Sequence, residues 1–304
     1  MKLLCWILLV GVSLISSTVA QEPIARLTKQ STTICSLNCP KSAVIFVHGI
    51  TGSKATWGDP DSALYFPKMI ASEPTLKDVV DVYQIDYDSK YTQGPAVVAI
   101  GDTIASLLDK LMLEKKYTNV MFVAHSLGGI ITRQYLLHVA ALYGHTALSR
   151  MHLVVTLGTP YSGSSLSKLV AFATANEQIR VLQPVEVNDY AQLLNATNYA
   201  LQQKHEYCPS LRNFAGFEMK PYGLLGIIVE KESATMDAAG TMGFDRNHLE
   251  LPKPVSSNDE VFLWTADLIK KCIRNDDSVC KAAPPNPSCP DVPQYDFRPA
   301  DAHH

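Results

Sequence analysis

The sequence predicts an α/β domain, a mostly parallel sheet covered by helices on both faces. Two observations point there. Short apolar runs alternate with longer amphipathic stretches from residue 43 onward, the pattern of strand–helix–strand units. Those runs are β-branched and nearly continuous, as strands buried on both faces require. The chain has 304 residues, 47% of them hydrophobic. That is enough apolar material for one sizeable core.

The predicted strands are 43–47, 79–85, 120–124, 153–157 and 224–229. Between them, residues 96–114 set Val97, Ile100, Ile104, Leu107, Leu108 and Leu111 three or four positions apart. Residues 127–142 repeat the pattern with Ile130, Ile131, Tyr135 and Leu136, so both stretches read as helices. A last helix is expected at 258–273, opened by Asn258 or Asp259 as its cap. Residues 161–220 break the alternation, showing helical patterns and no convincing strand. A connection that long is read as a cap inserted over the site.

The ends have their own character. Met1 and Lys2 precede the apolar run LLCWILLVGVSLI, and Thr18-Val19-Ala20 then offer a small-x-small cleavage site. Residues 1–20 are therefore read as a secretory signal peptide cut after Ala20. The expected location is outside the cytoplasm, secreted or periplasmic. Residues 21–274 form the expected domain, and 275–304 a proline-rich tail. Of seven cysteines, Cys5 leaves with the signal peptide. The six that remain, Cys35, Cys39, Cys208, Cys272, Cys280 and Cys289, suit disulfides in an oxidising compartment. Asn195-Ala196-Thr197 is a glycosylation sequon if the route is eukaryotic.

Net charge is −3, and no block of like charges appears. A nucleic-acid role finds no basic stripe to support it. No metal or organic cofactor is called for, because no histidine accompanies the cysteine clusters at ligand spacing.

The sharpest signal is VMFVAHSLGG at 120–129. Ser126 stands between a strand and a helix, with Gly128 and Gly129 just after it, as a strained nucleophile elbow needs. Ala124 replaces the glycine usual two positions before the serine. Upstream, the first strand ends in FVHGITGS, 46–53. His48-Gly49 resembles the oxyanion loop of α/β-hydrolases, which assigns two donors, the N–H groups of Ile50 and Leu127. Two fixed donors aimed at developing negative charge are what acyl transfer requires.

Among nine histidines, only His248 follows the last expected strand and precedes the final helix, where a base should fall. The acid is expected just past 224–229, where IIVEKESAT offers Glu230 and Glu232, with Asp237 and Asp245 further on. Spacing alone does not separate Glu230 from Glu232.

FVHGITGSKATW, VAHSLGG, VTLGTPYSGS, and IIVEKESAT with NHLELPKP resemble the serine esterases related to the "serine active site containing" protein, a group within the α/β-hydrolase lipases. The likeness covers roughly 43–270. It implies an α/β-hydrolase fold with a helical cap insertion, and a triad of Ser126, His248 and Glu232, with Glu230 as the alternative acid. It also implies an ester or lipid substrate, reached by water through an acyl-enzyme, with transient contact with lipid surfaces compatible with that chemistry. Two rivals stay open: acyl transfer from the same intermediate, and an inactive binding protein on the scaffold. The apolar pairs around Leu169 and Leu193 suit either an acyl pocket or the cap's own core.

Overall fold

The computed structural model describes residues 25–31, 42–49, 52–87, 97–115, 117–143, 147–148, 150–162, 165, 168–169, 211–276 and 278–280. The expected signal peptide, Ile50, most of the cap, the sequon, Cys35, Cys39, Cys208, Cys289 and most of the tail lie outside them.

Seven strands make one sheet: β1 (Ala25–Lys29), β2 (Ser42–Val47), β3 (Val80–Tyr87), β4 (Asn119–His125), β5 (Met151–Leu157), β6 (Arg212–Glu218) and β7 (Gly240–Phe244). Their order is β1-β3-β2-β4-β5-β6-β7. Every neighbouring pair is parallel except β1 on β3, which runs antiparallel with Ala25 opposite Tyr87. This is the expected α/β-hydrolase architecture. The chain starts at the β1 edge, crosses to β2, returns to β3 between them, and then steps outward from β4 to β7.

Side-chain alternation along the central strands builds two cores. Ile45, Phe122 and Ala124 face α2 (Val97–Lys115) and α3 (Leu127–Leu142), packing with Ile104, Leu108, Ile131 and Tyr135. Phe46, Met121 and Val123 face the other way, toward α1 (Phe66–Ser72) and the last helix, α5 (Glu260–Ile273). There Phe46, Trp57 and Phe66 meet edge to face. Burying each such side chain stabilises the fold by about 1.5–3 kcal/mol. Because β2 and β4 have no solvent face along their middles, residues 43–47 and 120–124 are apolar at every position and need no alternation.

Three expectations change. The segment read as a strand at 224–229 is not one: a 3-10 turn occupies Gly223–Leu225, and Leu224 is fully exposed. Gly223 and Gly226 take positive φ of 52° and 70°, which breaks extended backbone on both sides of Leu224. The strand lies earlier, as β6, inside the stretch assigned to the cap. The stretch assigned to the cap, 161–220, thus includes a strand of the sheet at 212–218. A strand that none of the expected runs included, β1, precedes the first of them; its Lys29 pairs with Asp81 at 2.7 Å and it covers the β3 edge.

A short helix, α4 (Lys231–Ala234), follows the 3-10 turn. At the C-terminus, Cys272 on α5 is joined to Cys280 by a disulfide. No helix of the described residues is long and apolar enough to cross a membrane.

Candidate active site

Strand β4 ends at His125 and helix α3 starts at Leu127. Ser126 alone makes the turn, with φ 54° and ψ −130°, outside ordinary space for a residue with a side chain. Such a conformation costs about 1–3 kcal/mol and persists only where the surroundings impose it. Here they do. Ser126 N–H donates to the Leu157 carbonyl at 2.9 Å, tying the turn to the end of β5.

The glycines around the serine are there for closeness. A Cβ at Gly128 would lie 2.2 Å from the Val47 carbonyl oxygen, and one at Gly49 would lie 2.6 Å from Ser126 Cβ. Neither position has room for a side chain. The end of β2 and the start of α3 thus meet backbone to backbone beside Ser126. Ser126 Oγ is buried and makes no hydrogen bond among the described residues. At the motif position usually held by glycine, Ala124 is fully buried in the α2–α3 core.

Leu127, one of the two expected oxyanion donors, is the first residue of α3. Its N–H belongs to the helix's first turn, where amides have no intrahelical acceptor and the dipole favours negative charge. Ile50 lies outside the described residues, but Gly49, its neighbour, touches Ser126. His48 shapes this loop, as expected. It is fully buried, Nδ1 donates to the Gly49 carbonyl at 2.9 Å, and its ring stacks on Tyr87 at 4.0 Å.

His248 sits in the turn after β7, 1% exposed. The turn is locked by Asn247, whose Oδ1 accepts from the N–H groups of Leu249 and Glu250 at 3.0 and 3.1 Å. The imidazole lies against Gly158, where a Cβ would come 3.1 Å from Nδ1. Its Nδ1 donates to Glu218 Oε2 at 2.6 Å. Glu218 is the last residue of β6, and its side chain is fully buried. The other carboxylate oxygen, Oε1, accepts from the amides of Ile228 at 2.6 Å and Val229 at 3.0 Å. Three charge-assisted hydrogen bonds therefore hold a carboxylate that water does not reach.

The acid beside His248 is thus Glu218, and the expectations of Glu232 and Glu230 are corrected. Glu232 is exposed on α4. Glu230 is half-exposed and pairs with Lys168. Asp237 pairs with Arg133 at 3.9 Å, and Asp245 with Lys220 at 2.9 Å, both outside the site. The reason follows from the misplaced strand. Sequence reading looked for the acid after 224–229, whereas the strand that carries it ends at 218. The IIVEKESAT segment still serves the acid, through the Ile228 and Val229 amides.

His125 completes the neighbourhood. It is buried beside the serine, its ring centre is 4.8 Å from that of His248, and Nε2 donates to the His248 carbonyl at 3.0 Å. Burial pushes its pKa well below the ordinary histidine value, and the adjacent His248 adds to this. The described residues hold one cluster with metal-ligand spacing, His152, Cys272 and Cys280, and two of its three members are already joined as a disulfide.

A Bacillus licheniformis lipase (BlEst2, mature form) has a similar structure, with 19% identity, a TM-score of 0.49, and coverage of 75% of this chain and 92% of that one. A lipase-esterase related protein from Clostridium acetobutylicum is similar at 14% identity and a TM-score of 0.46, covering 82% of this chain and 99% of that one. No curated protein sequence matches. The family model described as "Putative serine esterase (DUF676)" matches residues 39–205. That span includes Gly49 and Ser126, stops short of Glu218 and His248, and takes in more than half of the 304 residues. On that match, the chain belongs to this serine esterase family.

Proposed function

We propose that the protein hydrolyses carboxylic esters through a Ser126–His248–Glu218 triad. The observation that carries this reading is the buried Glu218–His248 pair, 2.6 Å long, at the same C-terminal end of the parallel strands as the strained Ser126 turn. With Nδ1 donating to Glu218, the imidazole is held in the tautomer whose Nε2 is basic. Nε2 takes the Ser126 proton as Oγ attacks the ester carbonyl. The amides of Leu127 and Ile50 stabilise the oxyanion, and the imidazolium returns its proton to the departing alcohol. Water, deprotonated by the same nitrogen, then attacks the acyl-serine and releases the acid. Glu218 stays ionised throughout and orients the ring.

Leu224, fully exposed in the loop after Glu218, offers an apolar contact to an ester with an apolar acyl part. Transient contact with lipid surfaces is consistent with that placement. Export to an oxidising compartment is part of the same reading, supported by the Cys272–Cys280 disulfide and the apolar N-terminus.

The test is turnover of p-nitrophenyl esters from acetyl to palmitoyl, alongside labelling by a fluorophosphonate probe. Ser126→Ala should abolish both, and His248→Ala should remove turnover. Glu218→Gln should cost on the order of a hundredfold to ten-thousandfold in kcat, because the ring loses its fixed tautomer. Glu232→Ala and Glu230→Ala should stay near wild type. Full activity in Glu218→Gln, or a collapse in Glu232→Ala, would reassign the acid. No labelling of folded, oxidised protein would sink the hydrolase reading.

A further inference from the structure

The residue directly before the nucleophile does more than fill the elbow. His125 is buried, and its Nε2 lies 3.0 Å from the carbonyl oxygen of His248, a group that can only accept. The proton must therefore sit on Nε2, and because burial holds the ring's pKa well below the ordinary histidine value, His125 is the neutral Nε2–H tautomer. The contact joins residues 123 positions apart in sequence, from the end of β4 to the turn after β7. It fastens the backbone of the base to the residue beside the nucleophile.

We propose that His125 is a positioning residue: its Nε2–H fixes the His248 backbone relative to Ser126, so that the imidazole is aimed from its main chain as well as from its side chain. The proposal rests on the reading of His248 as the base. Three supports then hold that residue. Glu218 binds Nδ1, Gly158 lies against the ring, and His125 grips the carbonyl. Only the last is linked covalently to Ser126. A shift of the elbow therefore moves nucleophile and base together, and their separation is preserved. Because a second cation 4.8 Å from His248 would oppose formation of the imidazolium, the device works only while His125 stays neutral. Burial acts most strongly in that direction, joined by the charges of His248, Lys253 and His48, and together they outweigh the hydrogen bond to the His248 carbonyl, which favours the protonated ring.

The experiment compares His125→Leu and His125→Gln. Leucine fills the space without a donor, whereas the glutamine amide nitrogen reaches about as far as Nε2 and can donate to the same carbonyl. His125→Leu should lower kcat on the order of tenfold to a hundredfold, since small misplacements of a reacting group are costly. KM should stay within about twofold. Glutamine should restore most of kcat. A leucine variant as fast as wild type, or a stable glutamine variant no better than leucine, overturns the proposal.

Nitrogen-15 spectra of histidine-labelled protein supply a readout independent of turnover. His125 should appear as the Nε2–H tautomer with no titration between about pH 5 and 8. His248 should give one sharp set of signals in wild type and His125→Gln, and broadened or doubled signals in His125→Leu. A titrating His125, or a His248 spectrum unchanged by leucine, refutes the contact. If the wild-type protein hydrolyses no ester, the hydrolase reading fails separately and the spectra alone decide for or against the positioning contact.

Discussion

At the scale of single residues, the site depends on where side chains are missing. Gly49 has no space for even a methyl group: a Cβ would press on Ser126 Cβ at 2.6 Å and on the His125 carbonyl oxygen at 3.0 Å. Both neighbours are rigid, one in a strained turn and the other in the end of a buried strand, so neither can yield cheaply. Gly49→Ala should therefore lower stability by about 1–3 kcal/mol through overpacking. It should also displace the elbow and the residue 50 amide, reducing kcat/KM by at least about tenfold. Thermal unfolding and ester kinetics on one preparation check this. A variant with wild-type Tm and rate would mean that the loop relaxes freely and Gly49 is incidental. Glu218 illustrates the reverse principle. Its carboxylate is fully enclosed, so all three of its contacts must be present together for burial to be tolerable.

At the scale of elements, the last helix and the loop of the base share one anchor. Asp259 caps α5, its Oδ1 accepting from Val261 N–H at 3.0 Å. Its Oδ2 accepts from Val255 N–H at 2.8 Å and pairs with Arg246, two residues before His248. Asp259→Ala should cost about 1–3 kcal/mol, the cap plus an Arg246 left without its carboxylate. Asp259→Asn should keep most of the cap and lose the ion pair, falling between. Urea denaturation orders the three, and equal midpoints for alanine and asparagine would show that the cap contributes nothing.

This helix was legible from sequence because Asp259 precedes a clear three-four periodicity. So were β2, β4 and α3, whose apolar runs and flanking glycines leave little choice. The turn at Ser126, between β4 and α3, was legible for the same reason, whereas His248 was singled out by its place in the chain among nine histidines. What could not be read was β6. Its residues, RNFAGFE, carry no β-branched side chain and mix polar with small positions, as a strand near the sheet edge allows. The apolar run GIIV at 226–229 looks far more like a strand, yet two glycines in positive φ and an exposed Leu224 keep it a turn. Local propensity favoured the wrong segment, and the acid was displaced with it. A glutamate closing NFAGFE was the one signal available for Glu218. β1 was missed for a similar reason, since ARLTK has just two apolar positions and pairs only along one edge.

At the scale of the whole molecule, two cores on opposite faces of the sheet are closed at the C-terminus by the Cys272–Cys280 bond. Both sulfurs are buried with α5 against the face that also holds Phe66 and Ile70. Cutting this link frees the residues after α5 in the unfolded chain, and Cys272→Ser with Cys280→Ser should lower stability by roughly 2–3 kcal/mol. Because the bond lies away from the site, kcat should hold while Tm falls. A parallel loss of kcat at a temperature where the variant is fully folded would contradict that separation. The carboxylate of Glu218 has a further consequence for the molecule's tolerance of change. One oxygen holds the base, while the other holds the chain again at Ile228 and Val229, so residues 219–227 leave and return to the same side chain. At the tip between them Leu224 is fully exposed. That span is a cassette with clamped ends, where lineages or engineers can vary length and character to suit new acyl partners while the hydrolytic machinery beneath keeps its shape.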